Sequence, residues 1–391
     1  ASIREKAGLT GQFLLLSFRN FSHLQITPLT PAQYLVHQRW PPPVDASWTR
    51  FDCPQSIALT AGFFQERPFM NPFTGLIDKE LGLFEERLDA VLHADVELVH
   101  QIARYMSTLK GKRLRPALAL LSTRAVGSWD ERIIDAAVAV EMLHAATMVH
   151  DDVVDSATMR RGKASINSVW NGQIAVLVGD FLLARALCLL VDLGNIKALQ
   201  VVSRATERLS IGEIYEIQIG QQCDTSEASY FGMVADKTAS LISATTRIGP
   251  ILMDVEQSLI DGLGEYGEHL GRAFQIADDI LDFTGDADTM GKPVGHDLLE
   301  GKITLPLIRA LQAAPSADRQ AVETLLRQTD KGEAEREQFV EFVARYDGVA
   351  AASKTAREYA ARAQQCLEIL SPSPARTALE LAVKLVVERQ N

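Results

Sequence analysis

Helical periodicity runs through almost the whole chain beyond residue 76, and this limits the possible folds more than any other feature. In LIDKELGLFEERLDAVL, apolar residues recur every three or four positions, as on one face of an α-helix. Two further segments, DERIIDAAVAVEMLHAATMVH and GDFLLARALCLLVDLG, are apolar nearly all round, which is typical of helices surrounded by other helices. We find no convincing strand run, internal repeat or glycine-rich nucleotide loop. The sequence therefore predicts an all-α domain of roughly ten or more helices.

The first 69 residues differ in composition from the rest of the chain. They contain PLTPAQY and RWPPPVD, whose prolines prevent long helices, together with several aromatic residues. We therefore divide the chain in two. Residues 1–69 are a Pro- and aromatic-rich N-terminal extension of unknown role, and residues 70–391 are the helical domain.

Charge and cysteine usage exclude several classes of protein. The formal net charge of −11 argues against a broad nucleic-acid surface, which needs clustered lysine and arginine. The four cysteines form no CxxC pair, so we interpret them as reduced thiols of a cytosolic protein. The most apolar segment, residues 173–194, contains three charged residues and is not expected to span a bilayer. The sequence thus predicts a soluble, cytoplasmic protein.

Two acidic clusters follow apolar helical segments. They are Asp151, Asp152 and Asp155 in HDDVVD, and Asp278, Asp279 and Asp282 in ADDILD. Carboxylates four positions apart lie on one face of a helix and can share a divalent cation. Magnesium prefers a few carboxylates together with a phosphate ligand. One such cluster is as easily a solvated helix end, but two matching clusters favour a magnesium site.

Basic motifs suited to a phosphate ligand accompany both clusters. KGKRLRP (110–116) opens a helix, where backbone N–H groups also favour anions. MRRGKAS (159–165) follows the first cluster, and GKPVGHDLLEGK (291–302) follows the second. DKTAS (236–240) adds another lysine. Each motif alone reads as a solvated basic turn, whereas together, in an acidic chain, they favour a phosphate-binding cage.

These motifs resemble the trans-polyprenyl diphosphate synthase family, over about residues 76–391. The resemblance implies a class I isoprenoid synthase fold, an all-α bundle around a deep central cavity, which usually forms a homodimer. It implies that residues 70–391 are the catalytic domain of a prenyltransferase. The substrates would be isopentenyl diphosphate and an allylic diphosphate, with no nucleic acid and at most transient membrane contact for product release.

The resemblance also implies residue roles. The six aspartates would bind Mg²⁺, three ions in all, and Asp297 would order a metal-bound water. The allylic diphosphate would be held by Arg160, Lys237, Thr238, Gln275, Lys292 and Lys302. Isopentenyl diphosphate would be held by Lys112, Arg115, His144 and Arg161. Catalysis would be mostly electrostatic and would rest on Asp151, Asp152, Asp155, Arg160, Lys237, Asp278, Asp279 and Lys292.

One motif departs from the family pattern. The family often has a GExxQ motif, but GEIYEIQ (212–218) has Glu216 where the glutamine is expected. The roles of Glu213 and Glu216 therefore stay open at this point.

The length of the product is the least determined property. In short-chain members, the residue five positions before the first aspartate is typically aromatic and closes the cavity, whereas here it is Ala146. We expect a long product, about C30–C50, because a small side chain leaves space for it. The other residues expected along the path are Met142, Leu143, Thr147 and Leu187. Small residues here are alternatively ordinary helix packing, and a shorter-chain geranylgeranyl or farnesyl diphosphate synthase is the nearest rival.

Other classes of protein fit less well. A di-iron helical bundle would use Glu-x-x-His pairs, of which EMLH (141–144) is one, but GEHLG (267–271) has the wrong spacing for a second. A non-catalytic partner subunit would generally have lost the aspartate clusters, and both are intact. A class I terpene cyclase would not need GKRLRP for a second diphosphate.

Overall fold

The computed structural model describes residues 74–109, 111–160, 162–285, 294–328 and 331–388. The expected domain boundary at residue 70 lies outside these ranges, as do Arg161 and Lys292. Within them the chain forms sixteen α-helices, which confirms the all-α prediction. The helices are α1 (Asp78–Leu92), α2 (Glu97–Thr108), α3 (Leu114–Ala125), α4 (Arg132–Val154), α5 (Ile166–Val169), α6 (Gly172–Asp192), α7 (Ile196–Gln222), α8 (Glu227–Val234), α9 (Ser240–Leu252), α10 (Gln257–Thr284), α11 (His296–Leu299), α12 (Leu305–Ala313), α13 (Ser316–Leu326), α14 (Glu333–Arg345), α15 (Gly348–Cys366) and α16 (Pro374–Glu388).

Three kinds of short element complete the described chain. Strands β1 (Met159–Arg160) and β2 (Lys163–Ala164) pair antiparallel, with Arg160 opposite Lys163. Two 3-10 turns cover Gly75–Ile77 and Leu367–Ile369, and a single π-helical turn, Ala235–Ala239, joins α8 to α9. Strands of two residues carry no alternating pattern, so sequence periodicity does not reveal them.

The two helices that are apolar nearly all round are neighbours in the structure, α4 and α6. By length and composition alone each could cross a membrane, contrary to the expectation that no segment could. In the structure they pack along each other, and α4 is mostly buried, as in the core helix of a soluble protein. Helix α6 keeps one apolar face exposed, on which Leu177 and Val191 are each 62% exposed.

Two apolar clusters form the interior of the described domain. The larger cluster joins α1, α3, α4, α6, α9 and α16 to α10, through residues that include Tyr266 and Leu270. The smaller cluster joins α12, α14 and α15 to one end of α10, through Ile276 and Ile280. Helix α10 therefore contributes to both clusters, and this holds its acidic end against the smaller one. The buried hydroxyl of Tyr266 on α10 also donates to the carbonyl of Leu379 on α16 at 3.0 Å.

Candidate active site

Each acidic cluster lies at the C-terminal end of a long helix. Asp155 is the cap residue of α4, and its N–H donates to the Asp151 carbonyl at 2.8 Å, so these two residues are one turn apart as predicted. Asp278 and Asp282 lie in the last two turns of α10. The C-terminal end of a helix carries a partial negative charge and does not stabilise carboxylates. Both clusters therefore depend on cations from other elements.

Two basic residues supply that charge to the first cluster. Arg160 on β1 donates from Nε to Oδ1 of Asp152 at 2.8 Å. Lys302, which follows α11, places its Nζ 3.0 Å from Oδ2 of Asp155 and 2.9 Å from Oε2 of Glu300. The tertiary structure thus brings one residue of MRRGKAS and one of GKPVGHDLLEGK to two aspartates of the same cluster.

The π-helical turn carries the DKT motif. Lys237 lies in this turn, and its Nζ is 2.7 Å from Oε2 of Glu213 and 2.6 Å from Oε2 of Glu216. Thr238 donates from Oγ1 to Oε1 of Gln275 at 2.7 Å, which ties the turn to α10. Single π-turns inserted between α-helices are frequent at functional sites because they redirect side chains. Here the turn directs one lysine to both glutamates of the GEIYEIQ segment.

The second acidic cluster divides into an exposed and a buried aspartate. Asp278 is exposed, whereas Asp279 is only 4% exposed. Gln275 donates to Oδ1 of Asp279 at 2.8 Å and the Tyr230 hydroxyl donates to Oδ2 at 2.5 Å. Protein donors therefore engage both oxygens of Asp279, whereas the side chain of Asp278 is exposed. Asp282 is also buried, with Oδ1 3.5 Å from the backbone nitrogen of Asp297.

Burial of so many carboxylates shifts their pKa values upward. Desolvation is the main cause of the shift for Asp151, whose pKa rises to about 6 although Lys237 and Arg160 oppose the rise. Desolvation likewise raises the pKa of Glu213 to about 7, against the effect of Lys237, and that of Asp279 to about 8, against its hydrogen bonds from Tyr230 and Gln275. Anionic carboxylates are thus disfavoured here, which is the environment that a bound cation would relieve.

The lysines respond in the opposite sense to their acidic neighbours. Burial alone would lower the pKa of Lys237, but Glu216 and Glu213 outweigh burial and raise it. Burial also opposes the rise at Lys302, where Glu300, Glu216 and Asp155 raise the pKa. Both lysines therefore stay protonated across the physiological range and remain available to an anionic ligand.

A cavity, here called the polar cavity, joins these groups. Its polar lining comes from α7, the π-turn, α10 and the segment around α11, and consists of Glu216, Lys237, Gln275, Asp279, Asp297 and Lys302. Ile219, Met233, Ile303 and Thr304 complete its wall. Five of these residues, Lys237, Gln275, Asp279, Asp297 and Lys302, were predicted site residues that lie far apart in the sequence.

A second cavity, here called the apolar cavity, lies along α4. Most of its wall is aliphatic, from α1, α2, α4, α5 and α6, and includes Leu88, Leu92, Met106, Met142, Ala145, Met148, Val149, Ile166 and Leu182. His144, Asp152 and Arg160 also line it, so three predicted site residues border a space suited to a hydrocarbon. An apolar space beside convergent polar groups is the usual form of a small-molecule site.

The basic residues of the GKRLRP motif have different surroundings. Arg113 donates to Glu85 and to Glu141, each at 2.8 Å, and these ion pairs tie α1, α3 and α4 together. Arg113 is therefore structural and does not belong to the basic cage. Lys112 is exposed just before α3, and neither it nor Arg115 lines either of the two cavities. Glu141 is the glutamate of EMLH, and its ion pair argues against the di-iron alternative.

The five residues expected to govern product length occupy different environments. Met142 lines the apolar cavity. Leu143 and Ala146 are 3% exposed and pack inside the bundle, and Thr147 donates to the carbonyl of His144 at 2.9 Å. Leu187 is 42% exposed on the outer face of α6. Within the described residues, Leu187 lines neither the polar nor the apolar cavity.

The described residues supply only some of the oxygen ligands that a magnesium ion needs. Over the described ranges, no three acidic, histidine or cysteine side chains lie close enough together to hold a metal ion by themselves. Of the predicted ligands, Asp155 and Asp278 are exposed and Asp151 is half-buried, and all three are carboxylates. This donor set fits an ion that takes a minority of its ligands from protein and the rest from phosphate and water.

Some functional groups were not identified from the sequence. Tyr230 is 1% exposed and belongs to no motif, yet it fixes the orientation of Asp279 from 49 positions away. Glu213 and Glu216 were left without a role, and both contact Lys237. The missing glutamine of GExxQ was a usable signal for Glu216, whereas nothing in the sequence marks Tyr230.

Gly212 permits the close approach of α7 to the π-turn. A Cβ at this position would lie 2.3 Å from the backbone nitrogen of Lys237 and 2.7 Å from its Cα. We expect Gly212→Ala to lower the free energy of unfolding by about 2 kcal/mol, as overpacking typically does, and to lower activity by moving Lys237. Denaturant unfolding measures the first effect and steady-state kinetics the second.

Gly232→Ala on α8 is the matched control for this substitution. Its Cβ would meet only the Tyr215 ring, at 3.6 Å, which is an ordinary contact. This variant should be as stable as the wild type or more stable, because alanine favours helix by up to about 1 kcal/mol. Equal stability of the two variants would contradict the close approach.

The chain is similar to known proteins over most of its helical domain. The sequence profile of the polyprenyl synthetase family matches residues 96–343. The chain is 38% identical over 314 residues to an all-trans-nonaprenyl-diphosphate synthase, geranyl-diphosphate specific, from Rhodobacter capsulatus, covering 80% of this chain and 96% of that protein. It is 36% identical over 298 residues to octaprenyl diphosphate synthase of Escherichia coli, covering 76% of this chain and 92% of that protein.

A solved structure shows the same fold. The crystal structure of a polyprenyl synthase from Caulobacter crescentus, complexed with calcium and isoprenyl diphosphate, superposes with a TM-score of 0.79 and 31% identity. The alignment covers 84% of this chain and all of that chain. Enzymes of this family depend on magnesium. The matched profile, the fold and the paired aspartate clusters together show that this chain belongs to the polyprenyl synthetase family of prenyltransferases.

Proposed function

We propose that this chain joins isopentenyl diphosphate head to tail to an allylic prenyl diphosphate, giving a long all-trans polyprenyl diphosphate and pyrophosphate. The observation that carries the proposal is the polar cavity, which Lys237 and Lys302 line together with carboxylates from three separate helices. The apolar cavity, which Asp152 and Arg160 also line, is one space suited to hydrocarbon. Relatives named as nonaprenyl and octaprenyl diphosphate synthases support the long-chain product.

We carry the residue roles over from the family resemblance, and contacts of the described residues support several of them. We assign the allylic diphosphate to Arg160, Lys237, Thr238, Gln275 and Lys302, together with Lys292, which lies outside the described residues. Isopentenyl diphosphate is assigned to Lys112, Arg115 and His144, with Arg161 also outside the described residues. Asp151, Asp155 and Asp278 are the main metal ligands, and we propose three Mg²⁺ per site. Asp152, Asp279 and Asp282 support them, because Arg160 and Tyr230 already engage the first two of these carboxylates.

The reaction depends mainly on stabilising the negative charge of the diphosphate leaving group. Magnesium, when bound, neutralises the diphosphate oxygens and makes the diphosphate a better leaving group. Arg160, Lys237 and Lys302 donate N–H groups to the same leaving group as the allylic C–O bond breaks. The alkene of isopentenyl diphosphate then forms a bond to the allylic carbocation, and a proton passes to the released pyrophosphate. Apolar walls keep water from the cation.

One assay tests the proposal directly. Purified protein is incubated with Mg²⁺, isopentenyl diphosphate and allylic primers of increasing length, and the products are sized by chromatography. We expect elongation to about C30–C50 that stops when EDTA is added. Failure to elongate any primer would overturn the proposal, whereas products that end at about C15–C20 would favour the shorter-chain alternative.

Ala146 is the residue through which product length should change. We expect Ala146→Tyr to shift products toward about C15–C20, because an aromatic ring in place of a methyl group fills the path beside the first aspartate cluster. Product sizing by chromatography checks this. Ala145→Tyr on the next position of α4 is the matched comparison, because Ala145 lines the apolar cavity and Ala146 does not.

The pair of variants separates two paths for the growing chain. Shortening by Ala146→Tyr alone supports a path on the side of α4 that faces away from the apolar cavity. Shortening by Ala145→Tyr alone would place the chain in the apolar cavity and contradict the role of Ala146. Thermal unfolding of both variants confirms that each one remains folded.

Assembly and location complete the proposal. The exposed apolar face of α6, with Leu177, Leu187 and Val191 between 42% and 62% exposed, supports a homodimer that covers it. Light scattering would then give about twice the chain mass of 42.9 kDa. We place the protein in the cytoplasm, since the three described cysteines form no disulfide, with at most transient membrane contact when product leaves.

A further inference from the structure

Two glutamates hold one lysine at the wall of the polar cavity. The Nζ of Lys237 lies 2.7 Å from Glu213 and 2.6 Å from Glu216, and all three side chains are between 18% and 24% exposed. When both carboxylates are ionised, one ammonium group leaves one negative charge that is not neutralised within the triad. The family pattern GExxQ would place only one carboxylate here, so this excess arises from Glu216.

The two glutamates differ in what they face. Glu216 lines the polar cavity beside Lys237 and Lys302, whereas Glu213 does not line it. Glu216 also contributes to the raised pKa values of Lys302 and of Asp151. Its carboxylate is therefore within electrostatic range of both lysines and of the first aspartate cluster. A diphosphate in this cavity would meet the negative charge of Glu216 together with the positive charges that attract it.

From this arrangement we propose that Glu216 weakens the hold of the cavity on diphosphate groups and thereby speeds the release of pyrophosphate. The inference rests on the proposed function and concerns the same site. A bound diphosphate must share the N–H groups of Lys237 with two carboxylates, and like charges nearby oppose its binding. A glutamine at position 216 would still accept a hydrogen bond from Lys237 through its amide oxygen, but would carry no charge. Glu216 thus lowers the affinity of the cavity for diphosphate, partly through its contact with Lys237.

The test compares substitutions that separate charge from hydrogen bonding. Glu216→Gln removes the charge and keeps an acceptor, and Glu216→Asp keeps the charge on a shorter side chain. Glu213→Gln removes a carboxylate that contacts Lys237 but does not line the cavity. Glu207→Gln, on the exposed side of the same helix α7, is the matched control.

Two measurements are made on each full-length variant. Calorimetry gives the affinity for magnesium pyrophosphate without turnover, and steady-state kinetics give the pyrophosphate inhibition constant with the KM and kcat for an allylic primer. We expect Glu216→Gln to bind pyrophosphate about tenfold more tightly and to lower KM, because one partly screened negative charge is removed near the ligand. Glu207→Gln should stay near the wild type, whereas Glu216→Asp and Glu213→Gln should each change pyrophosphate affinity less than Glu216→Gln.

The outcomes distinguish this inference from the proposed function. If the wild type elongates a primer but Glu216→Gln binds pyrophosphate no more tightly, Glu216 only positions Lys237 and the inference is overturned. Weaker binding by both Glu216→Gln and Glu216→Asp would lead to the same conclusion. If the wild type elongates no primer, the proposed function fails. Calorimetry still compares pyrophosphate binding by the wild type and Glu216→Gln in that case.

Discussion

Asp151→Asn and Asp278→Asn are each expected to lower kcat/KM by about a thousandfold, since a bound metal supplies several kcal/mol of charge stabilisation to the leaving group. Each substitution removes one charged oxygen ligand and leaves the side chain the same size. The two residues lie at the ends of different helices, so each substitution tests one of the two aspartate clusters. Steady-state kinetics over a magnesium titration are the measurement, and the apparent magnesium affinity should fall together with the rate.

Loss of folding should not explain this result. The pKa of Asp151 is raised by burial to about 6, so the folded chain disfavours its charged form. A carboxyl group with a raised folded pKa binds more protons in the native state, and the free energy of unfolding falls as pH rises through that pKa. In EDTA at pH 7, Asp151→Asn should therefore unfold at the same temperature as the wild type or a higher one.

Asp261→Asn is the control for both aspartate substitutions. Asp261 is an exposed residue on α10, the helix of Asp278, and it accepts a hydrogen bond from Gln257 at 3.1 Å. Activity and magnesium dependence should stay unchanged in this variant. Full activity of Asp278→Asn with an unchanged magnesium titration would remove the second cluster from the metal site.

Lys237→Ala should impair both catalysis and stability. The lysine is predicted to hold the leaving diphosphate, and loss of such a preorganised donor typically costs about a hundredfold or more in kcat. Its removal also leaves Glu213 and Glu216 without their shared ammonium group. Breaking a buried pair by deleting one partner costs about 3 kcal/mol or more, and partial exposure of this triad reduces our expectation to about 2 kcal/mol.

A triple variant separates the two effects of Lys237→Ala. Combining it with Glu213→Gln and Glu216→Gln removes the repulsion between the carboxylates, so chemical denaturation should show most of the lost stability restored. Activity should remain low because the donor to the diphosphate is still missing. Recovery of activity together with stability would mean that Lys237 has only a structural role.

Sequence patterns predicted the helices and the acidic clusters well. Apolar patterns identified α1, α4 and α6, because burial of a helix face imposes a period and burial on all sides removes the polar face. The four-residue spacing of Asp151 and Asp155 was enough to place them one turn apart. Contacts that cross large separations in sequence were not predicted: Lys302 pairs with Asp155 of the first cluster, and Lys237 pairs with Glu213 and Glu216.

Other features could not be inferred from local patterns. The β1–β2 hairpin is too short to show alternation, and the π-turn that carries Lys237 inserts a residue without any compositional mark. Arg113 belongs to the KGKRLRP motif, which was assigned to phosphate binding, but it forms ion pairs with Glu85 and Glu141 on two other helices. Asp278 and Asp279 are adjacent in sequence and equal in type. Their separation into an exposed and a buried carboxylate depends on Tyr230, which comes from α8.

The sequence by itself determined the fold class, the kind of reaction and the identity of the charged groups, because helix periodicity and the chemistry of carboxylates and lysines are properties of short segments. The tertiary structure alone decided which charged group faces which other. It placed both glutamates of GEIYEIQ next to Lys237 and buried Asp279. It also paired Arg113 with glutamates of neighbouring helices. Electrostatic roles depend on distance and burial, and helix packing sets both between residues that are remote along the chain.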